Sequence, residues 1–150
     1  MGWTDSHLHQ FEKDGQYWGD PRNQEFADDI DIIDESRVAV GKVLLVENDS
    51  MTYVYDFGDD WRHEVVLEKI LPSDSAKRPI CIAGERRCPP EDVGGVGGYE
   101  EFLKVIFQPG HEEFGHFRGW AGGKFHAEEF DVAAVNEILG RMRWPVRHRR

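Results

Sequence analysis

Residues 51–71 read MTYVYDFGDDWRHEVVLEKIL, and their pattern decides the fold. Tyr53, Tyr55 and Phe57 alternate with Thr52, Val54 and Asp56; the pattern breaks at Gly58-Asp59-Asp60 and resumes with Trp61, His63, Val65 and Leu67. Period-two alternation around a short polar break predicts a β-hairpin. Successive side chains of a strand point to opposite faces, so the aromatic rings enter a core while Asp56, Arg62, Glu64 and Glu68 take the other face.

Working outward towards the N-terminus, His7, His9 and Phe11 alternate with Leu8 and Gln10, which predicts a short strand over 7–11. Residues 12–35 are polar and acidic, broken by Gly15, Gly19 and Pro21, and predict an irregular connection with one edge strand near Ile30, Ile32 and Ile33. Val38 and Val40 suggest a further short strand, and residues 43–46 a helical turn. Towards the C-terminus, 72–79 reads as a loop and 80–83 as a short strand. Residues 88–98, with Pro89, Pro90 and four glycines, exclude regular structure. Tyr99, Phe102, Leu103 and Ile106 then form one apolar helical stripe, with Glu100 and Glu101 in the first turn, and Pro109-Gly110 ends it. A second helix is predicted over 112–120, ending at Gly122-Gly123. A third starts after Asp131 as N-cap and points Val132, Val135, Leu139 and Met142 inward until Pro145. Strands first and helices last predict an α+β fold: a mostly antiparallel sheet around the hairpin, with the C-terminal helices on one face.

At 150 residues the chain is long enough for one self-sufficient core, read here as a single domain over 1–144 followed by a basic tail, 145–150. No apolar stretch approaches the roughly 20 residues that span a bilayer, which predicts no membrane partner. Two cysteines, Cys81 and Cys88, are too few for a disulfide scaffold and fit a reducing cytoplasm. The net charge is −11, yet the last ten residues hold five arginines and no acid, leaving 13 bases against 29 acids, a net −16, in the rest. Such a body repels phosphate backbones, so nucleic acid is a candidate partner only for the tail.

The combination YDFGDxWxHxVxxE over 55–68 with CxAGxRxCPPEDxGGxxGY over 81–99 resembles the Ri-plasmid Orf-three-like family, whose members are often labelled TnpR-like passenger proteins of insertion elements. The GWxxxHLHxF segment (Gly2, Trp3, His7, Leu8, His9, Phe11) and an FDxxAVN-like helix start (Phe130, Asp131, Ala134, Val135, Asn136) match as well, so the resemblance spans nearly the whole chain. The family carries no established activity. Its members ordinarily place a strand and a helix before GWxxxHLHxF; a chain beginning at that segment is expected to leave apolar surface open and to self-associate. Family members frequently carry a further Cys where this chain has Val93, so the resemblance implies no three-thiolate site here.

Several constellations bear on chemistry. His7 and His9, two apart on one strand, would share a face and could chelate a divalent transition metal with His63, Asp56, Asp59, Cys81 or Cys88 as further ligands; half-buried structural histidines explain the pair equally well. No cofactor is predicted beyond that candidate metal. The six-residue gap between Cys81 and Cys88 exceeds the usual zinc-knuckle spacing, and structural thiols are the leading reading over a metal or a reversible disulfide. Gly94, Gly95, Gly97 and Gly98 precede a helix, but Glu91, Asp92, Glu100 and Glu101 surround them with the wrong charge for a phosphate. Asp56, Asp59, Asp60, Glu64, Glu91 and Asp92 could hold Mg2+ only if they converge, and Asp59 and Asp60 are already explained by the turn. Serine-resolvase chemistry needs a serine among arginines, and only Ser36 has an adjacent Arg.

The leading functional reading is therefore an intracellular accessory or interaction module that performs no catalysis, meeting a protein partner or a second copy through His7, His9, Asp56, Asp59, Trp61, His63, Glu91 and Asp92. The alternatives are a metal-dependent hydrolase using His7, His9 and His63 with Asp56 or Asp59, and nucleic-acid binding through the Arg-rich tail.

Overall fold

A computed structural model of the chain describes residues 2–22, 30–72 and 78–144. The hairpin forms as its pattern demands: β4 (Ser50–Tyr55) pairs antiparallel with β5 (Trp61–Val66), placing Tyr55 opposite Trp61 and Tyr53 opposite His63. Around it the sheet runs in the order β3 (Ile32–Asp34), β2 (Gln16–Gly19), β1 (His9–Lys13), β4, β5. β1 pairs antiparallel with both β4 and β2, whereas β3 joins β2 in parallel at the edge. Three helices follow, α1 (Gly95–Ile106), α2 (Phe114–Trp120) and α3 (Val132–Arg141), completing the α+β architecture. Among the described residues, no helix is long and apolar enough to cross a membrane.

The aromatic face of the hairpin behaves as expected at its centre. Tyr55 is 1 % exposed, stacked on Trp3 with ring centroids 5.1 Å apart, and Trp61 bridges from Trp3 to Tyr99 of α1. Phe102, fully buried, then gathers Tyr99, Phe117, Trp120 and Phe125 at ring separations of 4.9–6.1 Å, mostly edge to face. Trp61 and Tyr99 thus join the sheet to a core centred on Val93, Phe102, Phe125 and Ala127. The alternation misassigns three residues, the first being Asp56, which lies buried in the turn beyond β4. Phe57 falls in the turn and is 40 % exposed, and Val54 of β4, in register with Gln10 and Arg62 on the face assigned to the charged residues, is 2 % exposed.

Other expectations are corrected by chain geometry. The first strand begins at His9 rather than His7. The supposedly irregular stretch after residue 12 contains β2, reached through a two-residue turn at Asp14-Gly15, both with positive φ (51° and 75°). That is the backbone of a type I′ hairpin, and Asp-Gly is its usual sequence. The edge strand is present as β3. Val38 and Val40 form no strand: two 3-10 turns, Glu35–Arg37 and Val40–Lys42, occupy that stretch, and the first is capped by Asp34, whose carboxylate accepts from the Ser36 amide at 3.1 Å. The helical turn expected over 43–46 is likewise replaced by the turn three residues earlier. Residues 80–83 pair with no strand; instead Asn136 of α3 accepts from the Cys81 amide at 2.9 Å and donates to its carbonyl at 2.8 Å, supplying the bonds a sheet neighbour would have supplied. Helix α1 starts inside the glycine run, four residues ahead of Tyr99, so Glu100 and Glu101 lie beyond its first turn. Asp131 does cap α3, accepting from the Ala134 amide at 3.0 Å, but α3 buries none of its residues, and Met142 is 53 % exposed. The Arg-rich tail, 145–150, lies outside the described residues.

Candidate functional site

Three stretches far apart in sequence meet at His7: the segment before β1, the hairpin turn, and the loop leading into α1. The turn is organised by Asp56, whose φ of 57° and buried carboxylate follow from its own bonds. Asp56 Oδ1 accepts from the amides of Gly58 at 2.9 Å and Asp59 at 3.2 Å, while its amide donates to the Leu8 carbonyl at 2.8 Å. Asp56 Oδ2 remains, 3.5 Å from His7 Nδ1. On the other side of the ring, His7 Nε2 lies 3.3 Å from Asp92 Oδ1 and 3.8 Å from Glu91 Oε2, and the imidazole meets Tyr55 edge-on at 5.9 Å.

Glu91 is the knot that ties these stretches together. Its Oε1 accepts from the Thr4 amide and the Thr4 hydroxyl, both at 2.7 Å, and the Tyr55 hydroxyl lies 3.1 Å from each of its oxygens. Ser6 in turn donates its amide to the Tyr55 oxygen at 3.2 Å. Burial acts to raise the Glu91 carboxyl, but the Thr4 and Tyr55 bonds outweigh it and hold the group below its ordinary range. Sequence reading flagged Glu91 and Asp92 yet gave no sign of Thr4, nor of the Tyr55 hydroxyl as a polar anchor beneath them.

Asp59 serves the loop rather than the cluster. Its Oδ2 accepts from the Gly94 amide at 3.0 Å, and a Cβ on Gly95 would lie 2.4 Å from the Asp59 carbonyl oxygen. The glycine run thus brings the start of α1 against the hairpin turn, and the chain's own carboxylate takes an amide there. The glycines make a tight connection, and the Asp59 carboxylate takes the place a phosphate would need.

The expected histidine site does not assemble. His7 precedes β1, so it shares no strand face with His9. His9 donates through Nε2 to Glu35 Oε1 at 3.0 Å and packs beside Phe11 and Tyr53. His63 lies on the far side of Tyr53, its Nδ1 3.2 Å from the Tyr53 carbonyl, an acceptor that places the proton on that nitrogen. Tyr53, between the two imidazoles, has its phenol pushed up to about 12 by burial and by the charges of Asp5 and Glu35. Among the described residues, the one group of three whose donor atoms lie within 4.8 Å of one another is His7, Asp56 and Asp92, so His9, His63 and Asp59 fall outside any shared metal set. Those three could hold a cation through two carboxylates and one imidazole, leaving the rest of its shell to other ligands. Neither cysteine joins them. Both are free; Cys81 donates to the Ala83 carbonyl at 3.3 Å, and burial pushes the Cys88 thiol up, away from the thiolate that metals and disulfides require. Glu64 is exposed on β5, and Trp61 lies part-buried between Trp3 and Tyr99.

The Ser36 hydroxyl donates to Asp34 at 2.6 Å, and Arg37 pairs with that same Asp34 at 2.8 Å, so the one serine with an adjacent arginine is arranged as a turn cap.

A solved structure, the protein of unknown function MM3350 from Methanosarcina mazei Go1, superposes with a TM-score of 0.77 at 38 % identity, over 89 % of this chain and 75 % of that one. The uncharacterized protein y4hQ of Sinorhizobium fredii is 36 % identical over 137 residues, covering 91 % of this chain and 67 % of that protein. Residues 1–134 match the family described as plasmid pRiA4b ORF-3-like protein, and the chain belongs to that family.

Proposed function

We propose that the protein is an accessory interaction module, which binds a partner protein where the N-terminal segment, the hairpin turn and the 88–92 loop meet and performs no chemistry of its own. The observation that supports this reading is the convergence of His7, Asp56, Glu91 and Asp92 into one clasp, held by both oxygens of Glu91 and by one oxygen of Asp56. Both nitrogens of His7 face carboxylates. A catalytic base needs a free lone pair directed at its substrate, which the bonded Glu91 does not offer, whereas a clasp that shapes a surface needs none.

The exposed acids at the rim are Asp5 and Asp92, with side chains 82 % and 73 % exposed, and Asp60, 54 % exposed and paired with Arg62 at 3.0 Å. On a chain of net charge −11 they favour a partner that presents Lys and Arg, attracted over long range and held in register by complementary charge. His7, Glu91, Asp56, Asp59 and Trp61 shape that surface from beneath, and His9 and His63 brace the neighbouring strands. The family's plasmid description supports a mobile-element setting, and the two free thiols support a reducing cytoplasm.

The test combines charge reversal with elemental analysis. Photo-crosslinking from position 60 inside the native cell is expected to capture one protein, with capture lost in Asp92→Lys and an unchanged melting curve. Sedimentation separates a foreign partner from a second copy. Stoichiometric metal in chelator-free protein, lost in His7→Ala, would overturn the module in favour of a hydrolase; crosslinking that survives Asp92→Lys would overturn the surface.

A further inference from the structure

A second feature shares no lining residue with that surface. Between the sheet and the two 3-10 turns lies a cavity of about 340 Å3, bounded by Phe11 and Trp18 of β1 and β2, Met51 of β4, and Val38, Val40 and Val43 from the turn segment, with Glu35 and Ser36 as its polar wall. Its size and its apolar lining with a single carboxylate are those of a small-molecule site. Trp18 is buried, and the Phe11 ring is held by Tyr53 at 4.8 Å and by His9, so these walls are in place before any ligand arrives.

Glu35 gives the cavity its chemistry. Its Oε1 is bonded to His9, but its Oε2 is buried and, among the described residues, has no hydrogen-bond partner. Leaving a carboxylate oxygen buried and unmatched is costly, and such groups call for a partner. Lys13 is engaged with Asp49 at 2.6 Å and with the Val43 carbonyl at 3.0 Å, and Arg37 with Asp34. An occupant that matches this wall has an apolar or aromatic body against Phe11, Trp18 and the valines, and one protonated nitrogen for Glu35. Two aromatic walls beside a carboxylate also suit a cation through the negative ring faces.

We infer that this cavity is a binding site for a small arylalkyl amine, with Glu35 as counter-ion and His9 holding the carboxylate in place. The experiment titrates the full chain with 2-phenylethylamine and, separately, with 2-phenylethanol, following the Trp18 indole and the Ser36 and Val38 amides by NMR. Wild type is expected to bind the amine about tenfold or more tighter than the alcohol, the ratio that one charge-assisted hydrogen bond supplies. Glu35→Gln keeps a carbonyl for His9 but turns the free acceptor into a donor, and is expected to erase that preference while the alcohol still binds. Val40→Trp, at a position 59 % exposed on the rim and so tolerant of bulk, is expected to block both. The site is refuted if the amine gives no saturable shift at Trp18, if wild type binds both ligands equally, or if either variant leaves amine binding intact. None of these outcomes depends on a protein partner, so this inference and the interaction reading fail separately.

Discussion

Replacing Tyr55 with Phe removes one oxygen from the centre of the clasp and nothing else. The ring stays buried against Trp3, so the hydrophobic contribution is unchanged and the loss is polar. That oxygen donates to the Glu91 carboxylate and accepts the Ser6 amide. Hydrogen bonds to charged groups contribute roughly 1.5–3 kcal/mol net, and Glu91 keeps both of its Thr4 bonds, so a cost of about 2 kcal/mol is expected. For a domain of this size that is a fall in Tm of roughly 4–8 °C. The pH dependence identifies the cause. Glu91 has a depressed carboxyl, so its contribution is complete above its unfolded value of 4.5 and is lost as pH falls through the lower folded value. Urea unfolding of wild type and Tyr55→Phe should therefore differ most near neutral pH and converge as the carboxyl protonates. A difference below about 0.5 kcal/mol at pH 7, within the range of an inconsequential surface change, or one that persists unchanged into acid, would refute the clasp.

Elsewhere, Asn136→Ala breaks two bonds to the Cys81 backbone and should cost about 1–3 kcal/mol, with hydrogen exchange quickening in α3 and around Cys81 before the sheet responds. Gly98→Ala would set a Cβ 1.9 Å from the Val93 carbonyl oxygen and should destabilise by about 3 kcal/mol or more, whereas Gly97→Ala, with nothing within 4 Å, should gain about 0.5–1 kcal/mol; paired thermal melts decide. In an alkaline absorbance titration one tyrosine should ionise only near pH 12, and Tyr53→Phe should remove that last step. Cys88 should alkylate more slowly at pH 8 than a free cysteine, read by peptide mass, because burial holds its thiol protonated.

Legibility in the sequence followed the range of the interactions. The hairpin announced itself because alternation is a local signal, and α3 because Asp131 stands directly before its apolar stripe. The β1–β2 hairpin carried an equally local signal, Asp14-Gly15, obscured by the acidic composition around it. By contrast, the strand expected at 80–83 failed for a reason no window of neighbours contains: its backbone partner is a side chain 55 residues away. The same holds at the site. Glu91 and Asp92 could be singled out, but a strand beginning two residues later than its pattern suggested moved His7 into their reach and left His9 facing Glu35.

What this chain declares in one dimension is its class, its central hairpin, its family motifs and its acidic character, because periodicity, turn chemistry and charge are properties of neighbouring residues. Which carboxylate meets which histidine, that Glu35 has an unmatched oxygen beside a cavity, and that the glycines serve Asp59 were settled only by folding. Those contacts join segments whose separation in sequence says nothing about their distance in space.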